Sequence, residues 1–210
     1  MIRNSYILLF ILIVNYFLYV QASRSDAFIG YTEKNIKTNP KRVLIKSEYG
    51  QFIITLRPDW APDATKLVYD LAVAMDGKDC PQCLFYRHEP IPKGWGKDGF
   101  YGPPYALLQG SLADVAKVPL NENPTKRPVQ QGDIAFIPDC REFFIATADH
   151  SEWGVSHIVF GHVDDVSAEL NHPYEPYTNM TNAGFTTRWL VTKFPFRIGL
   201  VPENGGQRAT

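Results

Sequence analysis

The sequence predicts a mainly β protein: a closed antiparallel eight-stranded β-barrel with two capping helices. Three observations predict it. Around eight short β-rich segments recur between residues 42 and 200, only two stretches carry helical spacing, and a chain of this size can bury a single core by closing one sheet on itself. The 210 residues are 45% apolar and 20% charged with a formal net charge of −1, which places the chain among ordinary globular proteins with one domain. Near-neutral charge argues against nucleic acid or an anionic membrane surface as partner, since either leaves a basic patch as its footprint. A monomer is expected.

The elements follow in order. Residues 1–22 carry Arg3, an apolar run from Tyr6 to Val20, and Val20, Gln21 and Ala22 as a small-residue cleavage pattern. That is the form of a secretory signal peptide cleaved after Ala22. The run is broken by Asn15 and falls short of the roughly 20 apolar residues of a spanning helix, so a retained signal anchor is the alternative and the only membrane attachment expected. Either way the body faces a secretory lumen or the cell exterior. Residues 23–42 are polar without sustained period and read as a stem, and the folded domain is expected over 43–203 with a flexible tail at 204–210.

"RVLIKSEYGQFIITLR" gives two β-rich runs around Glu48, Tyr49 and Gly50, a hairpin signal. In "APDATKLVYDLAVAM", Leu67, Val68, Leu71, Ala72 and Met75 recur at helical spacing. Strand segments return as "LFYRHE", "YALLQGSL", "GDIAFI", "EFFIATA", "HIVFGHV" and finally "TTRWLVTKFPFRIGL", read as one closing strand. Between the last two, "DDVSAELNHP" reads as a short helix whose Asp164 and Asp165 suit the positive end of its dipole.

Cys80, Cys83 and Cys140 are an odd set. In an oxidising lumen they favour a structural disulfide over a redox dithiol, because "CPQC" follows a helical stretch and precedes a strand, the reverse of a redox motif. No second cysteine pair or His-x-x-x-His completes a zinc site, so no metal is expected. Asn179, Met180 and Thr181 form a glycosylation triplet, whereas the triplet at Asn123 is blocked by Pro124. The loop "EPIPKGWGKDGFYGPP" is long and carries Trp95, Phe100 and Tyr101, which marks it as a candidate lid. The tip "DHSEWGVSH" holds His150, Trp153 and His157 between two apolar strands; taken bare, it reads as an ordinary hairpin tip with a hydrogen-bonded structural histidine.

The ordered segments from about Val43 to Val163 resemble the cyclophilin peptidyl-prolyl isomerases. "FYR" at Phe85 to Arg87 is similar to the family's Phe-His-Arg, "LLQG" at Leu107 to Gly110 to its Gln-Gly strand, and "EFFI" at Glu142 to Ile145 to its Gln-Phe-Phe-Ile. "HIVFGHV" resembles the strand that follows, and the spacing from "NEN" at Asn121 to Asn123 on to Gly132 is also the family's. The resemblance implies a cyclophilin-like barrel, no cofactor, and peptidyl-prolyl cis-trans isomerisation of proline-containing client proteins. It places Arg87 as the catalytic group, Phe144, Leu107 and His157 around the proline ring, Gln109 on substrate backbone and Trp153 at the rim.

The chemistry asks for these residue types. Turning an X-Pro bond breaks amide resonance against a barrier of roughly 18–20 kcal/mol, and in the twisted state the proline nitrogen regains a lone pair. A guanidinium donor aimed at that lone pair stabilises the twisted state more than either planar isomer, and differential stabilisation of that kind is catalysis. Three departures from the family pattern bear on this. Ala106 stands where the family has an aromatic, Glu142 where it has Gln, and the loop from His88 to Tyr105 is much longer. Trp95, Phe100 or Tyr101 is expected either to restore the missing aromatic wall or to close over the cup. The competing function is a cyclophilin-like peptide-binding module with weakened catalysis.

Overall fold

A computed structural model describes residues 41–112, 123, 125–138, 142–165, 176–182 and 184–201. Eight strands close a barrel in the order β1, β10, β3, β4, β6, β5, β7, β2, every neighbour antiparallel. β1 (Arg42–Ser47) and β2 (Gly50–Leu56) form the expected hairpin. β3 (Leu84–Glu89), β4 (Leu107–Ser111), β5 (Asp133–Phe136), β6 (Glu142–Ala146) and β7 (Ile158–Val163) follow, and β10 (Phe194–Leu200) closes the barrel beside β1. Alternation sends Val43, Ile45, Phe52 and Ile54 inward, where Phe85 meets Phe143 at 5.8 Å and Phe196 at 4.6 Å between ring centroids.

The helix α1 (Pro62–Met75) begins with Pro at its first turn and ends at Asp76 in the left-handed conformation. Its buried face is Ala64, Thr65, Val68, Tyr69 and Ala72, which shares only Val68 and Ala72 with the expected stripe. The small alanines let the helix approach closely, and the Thr65 hydroxyl donates to the Phe160 carbonyl on β7 at 3.3 Å. The second helix, expected over 164–173, lies outside the described residues beyond Asp165, as do the leader, Cys140, Asn121 and the tail. Strands run from Arg42, the last residue assigned to the stem, to Leu200. No described helix is long and apolar enough to cross a membrane.

The closing segment differs from its sequence reading. It breaks at Val191 to Lys193, so that β9 (Phe185–Leu190) pairs with β8 (Tyr177–Asn182) in a separate two-stranded hairpin and only β10 joins the barrel. The hairpin turns through Gly184 at φ +83° and leans on β3, where Trp189 stacks on Tyr86 at 4.9 Å. Asn179 lies exposed on β8. Cys80 and Cys83 are joined by a disulfide in the turn leading into β3.

Two glycines of the quoted motifs sit where chains crowd. A Cβ on Gly110 would lie 2.6 Å from the Leu84 carbonyl oxygen, and one on Gly161 would lie 2.8 Å from the Ile54 side chain. That is why the Gln-Gly and Phe-Gly pairs end in glycine.

Candidate active site

A bulge in β3 decides which way Arg87 points. Phe85 pairs with Gly110 and faces the barrel core, and strict alternation would turn Arg87 inward as well. The register shifts between them, two residues of β3 standing against one of β4, so that Arg87 pairs with Gln109 and emerges on the outer face. Tyr86, the extra residue, also reaches outward: its hydroxyl accepts a hydrogen bond from Gln109 Nε2 at 2.8 Å.

The same alternation sorts the phenylalanine pair. Phe143 is in the core against Phe85, and Phe144 lies on the outer face with Leu107, Ala135, Ala146 and Val159, which together with Val129 form a second apolar cluster outside the barrel. Trp60, Tyr105, Ile137 and Trp153 are partly buried against that cluster. Phe144 is only 2% exposed, and Leu107 4%. Trp153 meets Phe144 edge-on at 5.3 Å and His157 does so at 5.1 Å, so the strands that frame the tip do bring Phe144, Trp153 and His157 together.

Arg87 stands beside this cluster with 14% of its side chain exposed. Its Nε donates to Glu89 Oε1 at 2.6 Å and its Nη1 to Gln109 Oε1 at 2.8 Å, while its Nη2 has no hydrogen bond among the described residues. Its guanidinium carbon lies 5.5 Å from the centre of the Tyr105 ring. Both Nε2 donors of Gln109 are engaged, since Nε2 also donates to Glu142 Oε2 at 3.2 Å. In the free chain Gln109 thus links Arg87, Tyr86 and Glu142, with the Glu142 carboxylate as acceptor.

The loop aromatics do something other than restoring the wall. Trp95 Nε1 donates to the Asp149 carbonyl at 2.9 Å, its ring stands edge-on to His150 at 5.0 Å, and the Tyr101 and Ser151 hydroxyls bond at 2.8 Å. Phe100 is 41% exposed. The loop therefore props the tip. Tyr105, one residue before Ala106, packs against the outer cluster that holds Leu107. Ala106 itself takes φ +50°, unusual for a residue with a Cβ, and its carbonyl accepts the Thr147 N–H at 2.9 Å.

The tip histidines differ in role. His150 is fully buried, stacks on Trp153 at 3.6 Å and places Nδ1 2.7 Å from Glu152 Oε1; burial lowers its pKa, opposed by the bond to Glu152. For His157, burial first and the neighbouring His150 second hold the imidazole down at about 4, so it is a neutral ring near pH 7 and serves the cluster as a wall. Among the described residues no group of three or more His, Cys, Asp or Glu side chains gathers to hold a metal. Glu89 and Tyr105 are the two site residues that sequence reasoning passed over.

No protein-family model matches the chain, and no curated protein matches it. Solved structures do. A crystal structure of a cyclophilin type peptidyl-prolyl cis-trans isomerase from Cryptosporidium parvum, in the presence of the dipeptide Ala-Pro, is similar at a TM-score of 0.50 and 14% identity, covering 77% of this chain and 99% of that one. A second structure of that isomerase is similar at a TM-score of 0.50 and 13% identity, covering 79% and 99%. At such identities the likeness concerns the backbone, and with the closed eight-stranded barrel it yields one conclusion: this chain has the cyclophilin fold.

Proposed function

We propose that this chain is a peptidyl-prolyl cis-trans isomerase of secretory-pathway clients, binding proline-containing segments on the outer face of β3, β4 and β6. The observation that carries the reading is Arg87: a guanidinium pinned at Nε and Nη1, with Nη2 unbonded, beside an apolar cluster of Leu107, Phe144 and Trp153. The fold supports it, as does the Ala-Pro dipeptide present with the similar Cryptosporidium isomerase.

In this reading the proline ring rests among Tyr105, Leu107, Phe144, Trp153 and His157 while the preceding carbonyl swings. As the imide twists, Nη2 donates to the proline nitrogen, whose lone pair exists only in the twisted state. Neutral His157 contributes shape without charge. The N-terminal apolar segment directs the chain to the secretory lumen, and Asn179, exposed on β8, carries a glycan there.

One observation favours a second reading, the binding module with weakened catalysis. Phe144 and Leu107 are nearly covered by the chain's own aromatics, so a proline ring reaches them only when Trp153 or Tyr105 swings aside. A protease-coupled assay on an X-Pro peptide separates the two. Arg87→Lys keeps a cation beside Glu89 and loses the planar fork. The isomerase reading expects wild type to exceed buffer and Arg87→Lys to fall by about a hundredfold, the scale of losing one transition-state donor. Equal rates in wild type, variant and buffer, with peptide still bound, leave the binding module.

A further inference from the structure

The geometry points to Glu89 as a positioning residue for Arg87, the group that fixes the guanidinium plane and ties it to the β8–β9 hairpin. The inference rests on the isomerase reading above and adds a residue to it. Glu89 is fully buried, yet its carboxylate is well supplied with donors. Oε1 accepts Arg87 Nε at 2.6 Å and the Arg188 backbone N–H at 3.0 Å, and Oε2 accepts the Tyr105 backbone N–H at 2.7 Å. Three segments therefore converge on one carboxylate: β3, Tyr105 two residues before β4, and β9.

A buried carboxylate is tolerated when it is paired and bonded, and here the charge-assisted bond to Nε is the short one. A guanidinium held by Gln109 alone would pivot about its single Nη1 contact. Held at Nε as well, the planar fork has one orientation, and Nη2 is aimed away from both anchors. The hairpin reaches the second anchor too, because Trp189 stacks on Tyr86, whose hydroxyl accepts from Gln109. Both supports of Arg87 thus lean on β9. Glu89 also sets the aromatic wall through the Tyr105 backbone, so the carboxylate places donor and wall relative to each other.

The experiment combines kinetics with the Arg87 Nε–H resonance. In Glu89→Gln the side-chain shape is kept and the charge is lost; kcat falls by roughly tenfold to a hundredfold, the scale on which a small misplacement of a reacting group acts. KM stays within about twofold, as expected when an interaction that matters only in the transition state is disturbed. Adding Glu89→Gln to Arg87→Lys costs nothing more, because the carboxylate acts through the guanidinium. Wild-type kcat in Glu89→Gln, or losses that multiply in the double variant, overturns the inference.

If wild type and Arg87→Lys show equal rates, the isomerase reading fails by itself, and the resonance decides the positioning role. Protection of the Arg87 Nε–H from solvent exchange in wild type and its loss in Glu89→Gln supports it; equal protection overturns it. Should Glu89→Gln fail to fold, Trp189→Ala removes the stack on Tyr86 and leaves the carboxylate in place. A lower kcat at unchanged KM then supports the inference, and wild-type kcat overturns it.

Discussion

On the β3 side of the site, Arg87, Glu89, Gln109, Tyr86 and Glu142 are joined by hydrogen bonds of 2.6 to 3.2 Å, three of them made by one glutamine amide. On the tip side, Phe144, His150, Trp153, His157 and Trp95 are joined by ring contacts of 3.6 to 5.3 Å. The first network fixes direction, because a hydrogen bond weakens steeply with angle. The second fixes volume and tolerates sliding, because dispersion and area depend weakly on orientation. A catalyst of imide rotation needs both: a donor held still and a ring seat that gives way to admit proline. In the proposed isomerase, Phe144, buried in the free protein, would line the seat once the adaptable rings over it move.

The contrast can be broken first at Phe144. Truncation to Ala empties the centre of the outer cluster and costs about 3–5 kcal/mol of stability, read by urea denaturation. If the outer cluster is a mere surface patch, the loss stays well below that. Tyr105→Ala sharpens the comparison, because this residue belongs to both halves, with its ring on the cluster and its backbone on Glu89. The side chain is partly exposed, so the stability loss is about 1–2 kcal/mol. Affinity for a proline peptide, measured by titration, falls about tenfold when its wall is gone. Unchanged affinity would show that the ring is no part of the seat.

The smallest effect is acid sensitivity, confined to the aromatic half. An ordinary imidazole takes its proton near 6.5, but His157 in the folded chain does so only at about 4. Between those values the unfolded chain binds more protons, so stability falls as pH drops from about 6.5 to 4 and this residue adds no further loss below. His157→Phe flattens part of that slope, measured as urea midpoints at pH 7 and pH 4.5. The slope that remains belongs in part to His150, which burial shifts in the same direction.

Much of this was legible in the residues. The alternating runs from Arg42 to Val163 give the barrel strands, and the ordered motifs give the cyclophilin fold, Arg87 and the outward Phe144. What was not legible depends on events that alternation cannot register. The bulge between Phe85 and Arg87 is a shift of one residue, invisible to a period-two pattern, yet it moves Arg87 from core to surface. Glu89 reads as a routine strand carboxylate, because its partner on β9 is 99 positions away. Tyr105 is not legible because the left-handed turn at Ala106, φ +50°, follows no strand alternation, and it is the ring before that turn that packs on the cluster. The β8–β9 hairpin had a readable signal, the glycine at 184 after the polar run from Thr178, which the reading of one long closing strand does not include.

The central claim is that the Arg87 guanidinium, not the cup, accelerates rotation. Exchange spectroscopy of an X-Pro peptide with a small fraction of the protein tests it most directly, because binding and cis-trans exchange are read in one sample. The account predicts that wild type produces cis-trans exchange cross-peaks, and that Arg87→Lys binds the peptide with similar shifts but leaves exchange at the rate of free peptide. Equal acceleration by wild type and Arg87→Lys would contradict it.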